Sequence, residues 1–311
     1  MNSKLISVVA GCFNEEANLR EFYQRVVAVF TQLPGYDFEL IVADNDSQDR
    51  SREILRELGG EDRRVKAIFN ARNFGPERSG MNAILQASGL AVVCLASDLQ
   101  NPPEMIARFV REWEKGHKIV GAVKTKTEDS WELRLLRKIY YDVVARMSYA
   151  TPLKNFTGFG LYDRQVIEQF RRLTDTDPFF RGAIAEMGYK IHRVYFEQPP
   201  RKGGRSSYNL LRLIDHGILG LISQSKVPLR LATLSGFACS VISFLIGSWY
   251  LLLKMIHWNE FNLGMAPIAV GLFMLASVQL FFVGVLGEYI GAIFTKVSSR
   301  PLVIEEERIN L

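Results

Sequence analysis

Polar side chains with oxygen donors recur in this sequence where runs of strand-forming residues stop. Asn14 and Glu15 follow "LISVVAGCF", Asp44, Asn45 and Asp46 follow "FELIVA", Asn73 follows "VKAIFNA", and Asp98 and Gln100 follow "LAVVCLAS". A carboxylate with a side-chain carbonyl two residues on can give a hard divalent cation protein ligands, the remainder coming from phosphate oxygens and water. The competing reading of "SDLQNPPE" is structural: Asp98 or Asn101 caps a helix opened by Pro102 and Pro103. Spacing alone leaves both open.

The elements that must position these residues alternate in period. "EEANLREFYQRVVAVFTQL", "DRSREILRELG", "ERSGMNAILQASG" and "PPEMIARFVREWEKG" have helical apolar spacing and separate the four strand-like runs. Repeated βα units imply a mostly parallel sheet with helices on both faces. Such sheets bind ligands at the C-terminal ends of their strands, which is where the polar residues fall. Residues 130–149 read as a basic amphipathic helix, with Arg134, Arg137 and Lys138 as lipid-surface or solvated charges. Residues 155–200 read as shorter elements, 201–209 as a flexible basic loop, and 210–222 as an amphipathic helix lying at a membrane interface or packed on the first domain.

Residues 231–253 form a run of 23 without a charge, and 261–287 a run of 27. About 20 helical residues cross a hydrocarbon core, so a transmembrane hairpin is expected, with helices at about 231–253 and 266–290. Lys226 and Arg230 precede the first run and Lys296 and Arg300 follow the second, while the intervening segment carries Lys254 alone among basic residues apart from His257. The positive-inside rule then puts the N-terminal region and the C-terminus in the cytoplasm. The division expected is a cytoplasmic domain over 1–208, an interfacial region over 209–228, a hairpin over 229–295 and a tail over 296–311. The N-terminus reads as the first strand rather than a signal peptide.

Cys12, Cys94 and Cys239 have no metal-like spacing and read as reduced structural thiols. The net charge of +5 is modest and no basic stripe is interleaved with aromatics, so nucleic acid is a poor partner. His117, His192, His216 and His257 are scattered without ligand spacing and receive no catalytic role. Asp163 reads as a helix cap, as do Asp46 and Asp49, and Arg78 as a solvated charge.

Six motifs in order, "NEE" (14–16), "ADNDSQD" (43–49), "RNFG" (72–75), "SDLQNPPE" (97–104), "FTGFGLYDR" (156–164) and "RKGGRSSY" (201–208), followed by the apolar hairpin, resemble glycosyltransferase family 2. The branch resembled is that of polyprenyl-phosphate glycosyltransferases such as dolichol-phosphate mannose synthase and bactoprenol glucosyltransferases, over nearly the whole chain. The resemblance implies an α/β GT-A nucleotide-sugar-binding domain. It implies inverting transfer of a sugar, a UDP-hexose by expectation, to undecaprenyl or another polyprenyl phosphate, with Mg²⁺ or Mn²⁺. It also implies a bacterial inner-membrane location, with a homo-oligomer such as a tetramer as a further partner state.

Carried onto this sequence, the resemblance makes Asp98 and Gln100 the metal ligands, and Asn14, Glu15, Asp44, Asn73 and Asp98 the donor-binding set. Arg201, Lys202, Arg205, Ser206 and Tyr208 become the phosphate and acceptor grip, with Asp98, Arg201 and Arg205 catalytic. An acceptor at Asp44 would take uracil N3–H and one near the first strand the ribose hydroxyls; alone, each is also an ordinary turn former. The basic loop has a second reading, as a juxtamembrane patch for anionic lipid, and one loop can serve both. Four positions depart from the family: Ala96 and Gly158 stand where it has Asp, and Arg205 and Ser207 where it has Glu and Lys. The alternatives are a family 2 enzyme with another lipid or glycan acceptor, and a membrane scaffold that binds sugar nucleotides without turnover.

Overall fold

The structure is a computed structural model that describes residues 3–125, 156–172, 180–199, 227–256, 265–297 and 301–311. Four βα units open the chain: β1 (Lys4–Cys12), α1 (Leu19–Thr31), β2 (Tyr36–Asp44), α2 (Ser51–Glu61), β3 (Val65–Asn70), α3 (Pro76–Gln86), β4 (Ala91–Ala96) and α4 (Met105–Glu114). β5 (Ile119–Lys124), β6 (Phe156–Asp163), α5 (Arg164–Arg172), α6 (Phe180–Glu186) and β7 (Ile191–Phe196) follow. Two long helices, α7 (Val227–Ile256) and α8 (Met265–Val297), precede a last strand, β8 (Glu305–Ile309).

The described strands make one eight-stranded sheet in the order β7-β5-β6-β4-β1-β2-β3-β8. It is mixed: β6 is antiparallel to β4 and β5, and β8 is antiparallel to β3, while the remaining pairings are parallel. Along β1 and β2, Ile6, Val8, Ala10, Phe38, Leu40 and Val42 enter the core beneath α1, α2 and α4, whereas Val9, Ile41 and Ala43 face the core of α3, α5 and α6. Apolar residues on both faces are what a sheet covered on both sides requires. The helices answer with stripes such as Leu19, Phe22, Val26, Val29 and Phe30 on α1.

β1 is the switch point, because the chain winds outward through β2 and β3 on one side and then returns to lay β4 on the other. Register pairs Cys12 with Asp44 and Gly11 with Ala96, so the ends of β1, β2 and β4 lie level and open a crevice where the winding reverses.

The chain divides into two compact units, the sheet domain with residues 298–311, and a helical unit covering 214–297 with 147–149. Within the second, α7 and α8 touch one another and carry many exposed large apolar side chains, among them Phe237, Leu245, Trp249, Leu272, Phe281 and Phe294. Among the described residues one stretch, Met274–Gly291 in α8, is long and apolar enough to cross a membrane, with a mean hydropathy of 1.5. The expected pair of spans is thus represented by two helices and one qualifying stretch.

The tail over 296–311 holds an element that periodicity does not announce. Glu305–Ile309 closes the β3 edge, with Ile309 against the core and Asn310 Nδ2 donating to the carbonyls of Gly59 and Val65. Arg78, read from sequence as solvated, donates to the carbonyls of Leu302 and Pro301 at 2.7 Å each. Backbone carbonyls just outside a strand need donors, and a guanidinium supplies several in one plane.

Candidate functional site

Asn14 and Glu15 stand at the exit of β1. Asn14 has φ 57°, its N–H donates to Ser47 Oγ at 2.9 Å, and its Oδ1 accepts from Gln48 N–H at 2.8 Å. Glu15 is buried, with its N–H donating to Ser51 Oγ and its Oε2 accepting from Asn18 Nδ2 at 2.6 Å. The β1 and β2 turns are therefore bonded into one wall.

Asp44 ends β2 with no exposure at all. Its Oδ1 accepts from Arg52 Nε at 2.8 Å and Ser47 N–H at 3.2 Å, while its Oδ2 is buried without a partner. A buried carboxylate oxygen left unpaired costs free energy, so Oδ2 lacks the N–H or O–H donor that such an atom calls for. Arg52 was not anticipated. It also donates to Asn70 O at 2.6 Å and to Glu306 of β8 at 2.9 Å. Burial works against the Arg52 charge, but its bonds to Asp44 and Glu306 prevail and its pKa is raised. The one sequence signal is that Arg52 lies in the first turn of α2, where the helix dipole disfavours a cation.

Asn73 reaches the same wall through amides. Its Oδ1 accepts from Asn45 Nδ2 and Gly75 N–H, each at 2.9 Å, and Asn45 Oδ1 in turn accepts from Asn70 Nδ2 at 3.2 Å and Phe74 N–H at 2.9 Å. Asn70 Oδ1 is the second buried oxygen without a partner. Arg72 is exposed and stacks on Phe74, 4.0 Å from the ring centroid.

Across the crevice, β4 ends in Ser97, whose Oγ donates to Gly11 O at 2.8 Å and ties the two strand ends together. Asp98 is half-buried and does not cap α4: its Oδ1 accepts from Gln100 N–H at 3.1 Å, while the helix begins only at Met105. Asn101 does not cap it either, because its Oδ1 accepts from Ala96 N–H at 3.0 Å. Buried Leu99 is held at φ 61°, a left-handed conformation that is costly for a leucine. Of the four described non-glycine residues with positive φ, Asn14, Asp46 and Leu99 lie on this rim. Asp98 and Gln100 are hard oxygen donors, a set that suits Mg²⁺ or Mn²⁺ shared with a diphosphate and water. Among the described residues, the group of three side chains able to hold a metal lies elsewhere, at Glu112, His117 and His192.

Arg201, Lys202, Arg205, Ser206 and Tyr208 lie outside the described residues, as do 130–149 and 210–222. Asp163 caps α5 as expected, accepting from Gln165 N–H at 3.0 Å, with Trp113 Nε1 on its other oxygen at 2.7 Å. Asp49 accepts from Ser51 N–H at 2.9 Å where α2 begins. The Asp46 carboxylate instead takes the Gln48 amide, because its own left-handed backbone turns it away from the helix. Gly158 has φ 90°, and a Cβ there would stand 3.3 Å from the Phe180 ring, so this backbone is hostile to an Asp. Burial raises the thiol pKa of Cys12, with Asp44 adding to it, and of Cys94, which keeps both protonated as structural thiols.

The profile of Glycosyl transferase family 2 matches residues 7–171. The chain is 32% identical over 302 residues to the SfII prophage-derived bactoprenol glucosyl transferase of Shigella flexneri, covering 96% of each. It is 32% identical over 300 residues to an uncharacterized glycosyltransferase of Synechocystis, covering 96% of this chain and 94% of that one. Among solved structures, mannosyl-3-phosphoglycerate synthase from Rubrobacter xylanophilus shares the fold with a TM-score of 0.51 at 14% identity, over 75% of both chains.

Proposed function

We propose, from the premise that the chain belongs to glycosyl transferase family 2 and is a glycosyltransferase, that it moves a hexose from a UDP-sugar to polyprenyl phosphate at the cytoplasmic face of a bacterial inner membrane. The observation that carries the donor is Asp44, buried, with Oδ1 taken by Arg52 and Oδ2 unpartnered. The β2 exit must open over Oδ2 to admit a base, and one vacant acceptor then matches the single N3–H of uracil. Guanine offers two adjacent N–H donors and would call on both oxygens, and cytosine has no N3–H.

The acceptor follows from the bactoprenol named in the relatives and from the apolar surface of α7 and α8. A lipid phosphate is anionic near neutral pH and needs no base to become a nucleophile, which suits a chain with Gly158 where the family has Asp. Its oxygen forms a bond to the anomeric carbon as the bond from that carbon to the UDP oxygen breaks, the electron pair leaves with UDP, and configuration inverts. Asp98 and Gln100 would hold Mg²⁺ or Mn²⁺, which supplies charge stabilisation to the departing diphosphate. Arg201 and Arg205 are assigned to the phosphates, with Lys202, Ser206 and Tyr208 beside them; Asn14, Glu15 and Asn73 complete the donor wall.

Two crossings of the membrane are favoured over one by chain order. β8 follows the helices and pairs with β3, which precedes them, so any membrane that the intervening chain crosses must be crossed an even number of times.

The test is transfer of radiolabelled sugar from UDP- and GDP-sugars to undecaprenyl phosphate by the purified chain, with Mn²⁺, Mg²⁺ or EDTA. A lipid-linked product from a UDP-sugar, lost with EDTA and with Asp98→Ala, is expected. Intact nucleotide binding without product from any donor would overturn the polyprenyl-phosphate reading and favour another acceptor or a scaffold.

A further inference from the structure

At the opposite end of the sheet from the rim, three ligand-type side chains converge from three segments. Glu112 is in the last turn of α4, His117 lies just before β5, and His192 is the second residue of β7, paired in register with Val120. The imidazoles stack, with ring centroids 4.1 Å apart and planes 18° from parallel. Both Nε2 atoms approach one carboxylate oxygen, Glu112 Oε2, His192 at 3.3 Å and His117 at 4.0 Å. The other oxygen, Oε1, accepts from Lys115 Nζ at 2.7 Å, which orients the carboxylate.

We propose that Glu112, His117 and His192 form a binding site for a divalent transition-metal ion of the zinc type, separate from the rim. Zinc holds imidazole nitrogen and carboxylate oxygen at about 2.0–2.2 Å, so two ligands of a tetrahedral ion lie roughly 3.4 Å apart. The Glu112–His192 pair already has that separation, and one ligand atom from each of the three residues lies within 4.8 Å of the others. For both nitrogens to face one ion the stacked rings would have to part by rotation of the His117 side chain.

The surroundings select the kind of ion. Glu112 and His192 also line a cavity of about 320 Å³ with Arg108, Arg111, Arg193 and Tyr195. Three guanidiniums against one carboxylate disfavour a cation held by charge alone, such as Ca²⁺ or Mg²⁺. An ion bound through nitrogen donors tolerates that field because its bonds to neutral imidazoles supply the affinity. The site is half-exposed, so water or an anion from the cavity can take the open position.

Such an ion would tie α4, the β5 entry and β7 together. Among the described residues β7 is an edge strand that pairs with β5 alone, so a cross-link there would stabilise a strand held on one side.

The experiment uses the purified full chain, free of any histidine tag and stripped with chelator, titrated with Zn²⁺ and Co²⁺. Wild type should take up one ion more than the His117→Ala/His192→Ala double variant. Co²⁺ should give a visible absorption band in wild type alone, and Zn²⁺ should raise the Tm of wild type alone. Excess Mg²⁺ should leave the band unchanged, as should Asp98→Ala. Glu112→Gln, which keeps shape without charge, should weaken uptake while the metal-free Tm stays put. Equal uptake by wild type and the double variant, or a band abolished by Asp98→Ala instead, would overturn the proposal.

Discussion

Asp44 and Arg52 define the donor wall at the level of single residues. Asp44 is inaccessible, so its charge is tolerable only because Arg52 lies against Oδ1; removing one member of such a pair costs about 3–5 kcal/mol. Arg52→Met should therefore lower both the Tm and UDP affinity, with Arg52→Lys restoring part of each. Asp44→Asn keeps size and should lower UDP affinity by about 10- to 100-fold, the equivalent of about 1.5–3 kcal/mol for a charged hydrogen bond. Titration calorimetry with UDP and GDP checks it, and unchanged UDP binding would remove Asp44 from the donor site. These residues were unequally legible. Asp44 and Asp98 announce themselves by following strand-like runs, whereas Arg52 is one arginine among several in "SREILREL" and gains its role only when α2 folds back beside β2.

Among the elements, β2 holds a second buried carboxylate besides Asp44. Glu39 accepts from the Ser7 hydroxyl and from Ser88 N–H and hydroxyl at 2.6 and 2.8 Å, and pairs with Lys66 at 2.6 Å. Burial pushes its pKa up, but Lys66 and the serines outweigh it and the net shift is downward. A folded pKa below the unfolded one makes a contribution that is present above the unfolded value, about 4.3, and lost as pH falls through the folded value. Wild type should thus lose more Tm than Glu39→Gln between about pH 6 and about pH 3; parallel curves would contradict this. β6 sets another limit: a Cβ on Gly160 would stand 2.3 Å from Val120 O, a backbone atom that cannot yield. Gly160→Ala should cost about 3 kcal/mol, the upper range for overpacking, as read by denaturant unfolding. The βα alternation was readable because each element keeps its own apolar period. β8 was not, because "EEERI" is mostly charged and becomes a strand by pairing with β3 and meeting Arg52, Arg56 and Asn82.

For the whole molecule, chain order makes a topological prediction. If α7 and α8 form a membrane hairpin, cysteines placed at Ser3 and Leu311 should be labelled from the cytoplasmic side, and one at Asn259 from the other side. Labelling of position 259 and position 311 from the same side would refute the hairpin. The metal-type cluster teaches a related lesson: His117 and His192 are 75 positions apart in sequence, and only the parallel pairing of β5 with β7 makes them neighbours.

The sequence by itself determined the family, the βα order, the rim at the strand ends and the two uncharged runs, because apolar period, turn chemistry and charge are local properties of the chain. Only the tertiary structure decided that β6 and β8 run antiparallel, that Asp98 leaves the cap of α4 unused, that Arg52 bridges Asp44 to Glu306, and that two histidines share one glutamate. Each of those depends on which distant segments the sheet brings into contact, and contact between segments far apart in the chain is written in no single stretch of it.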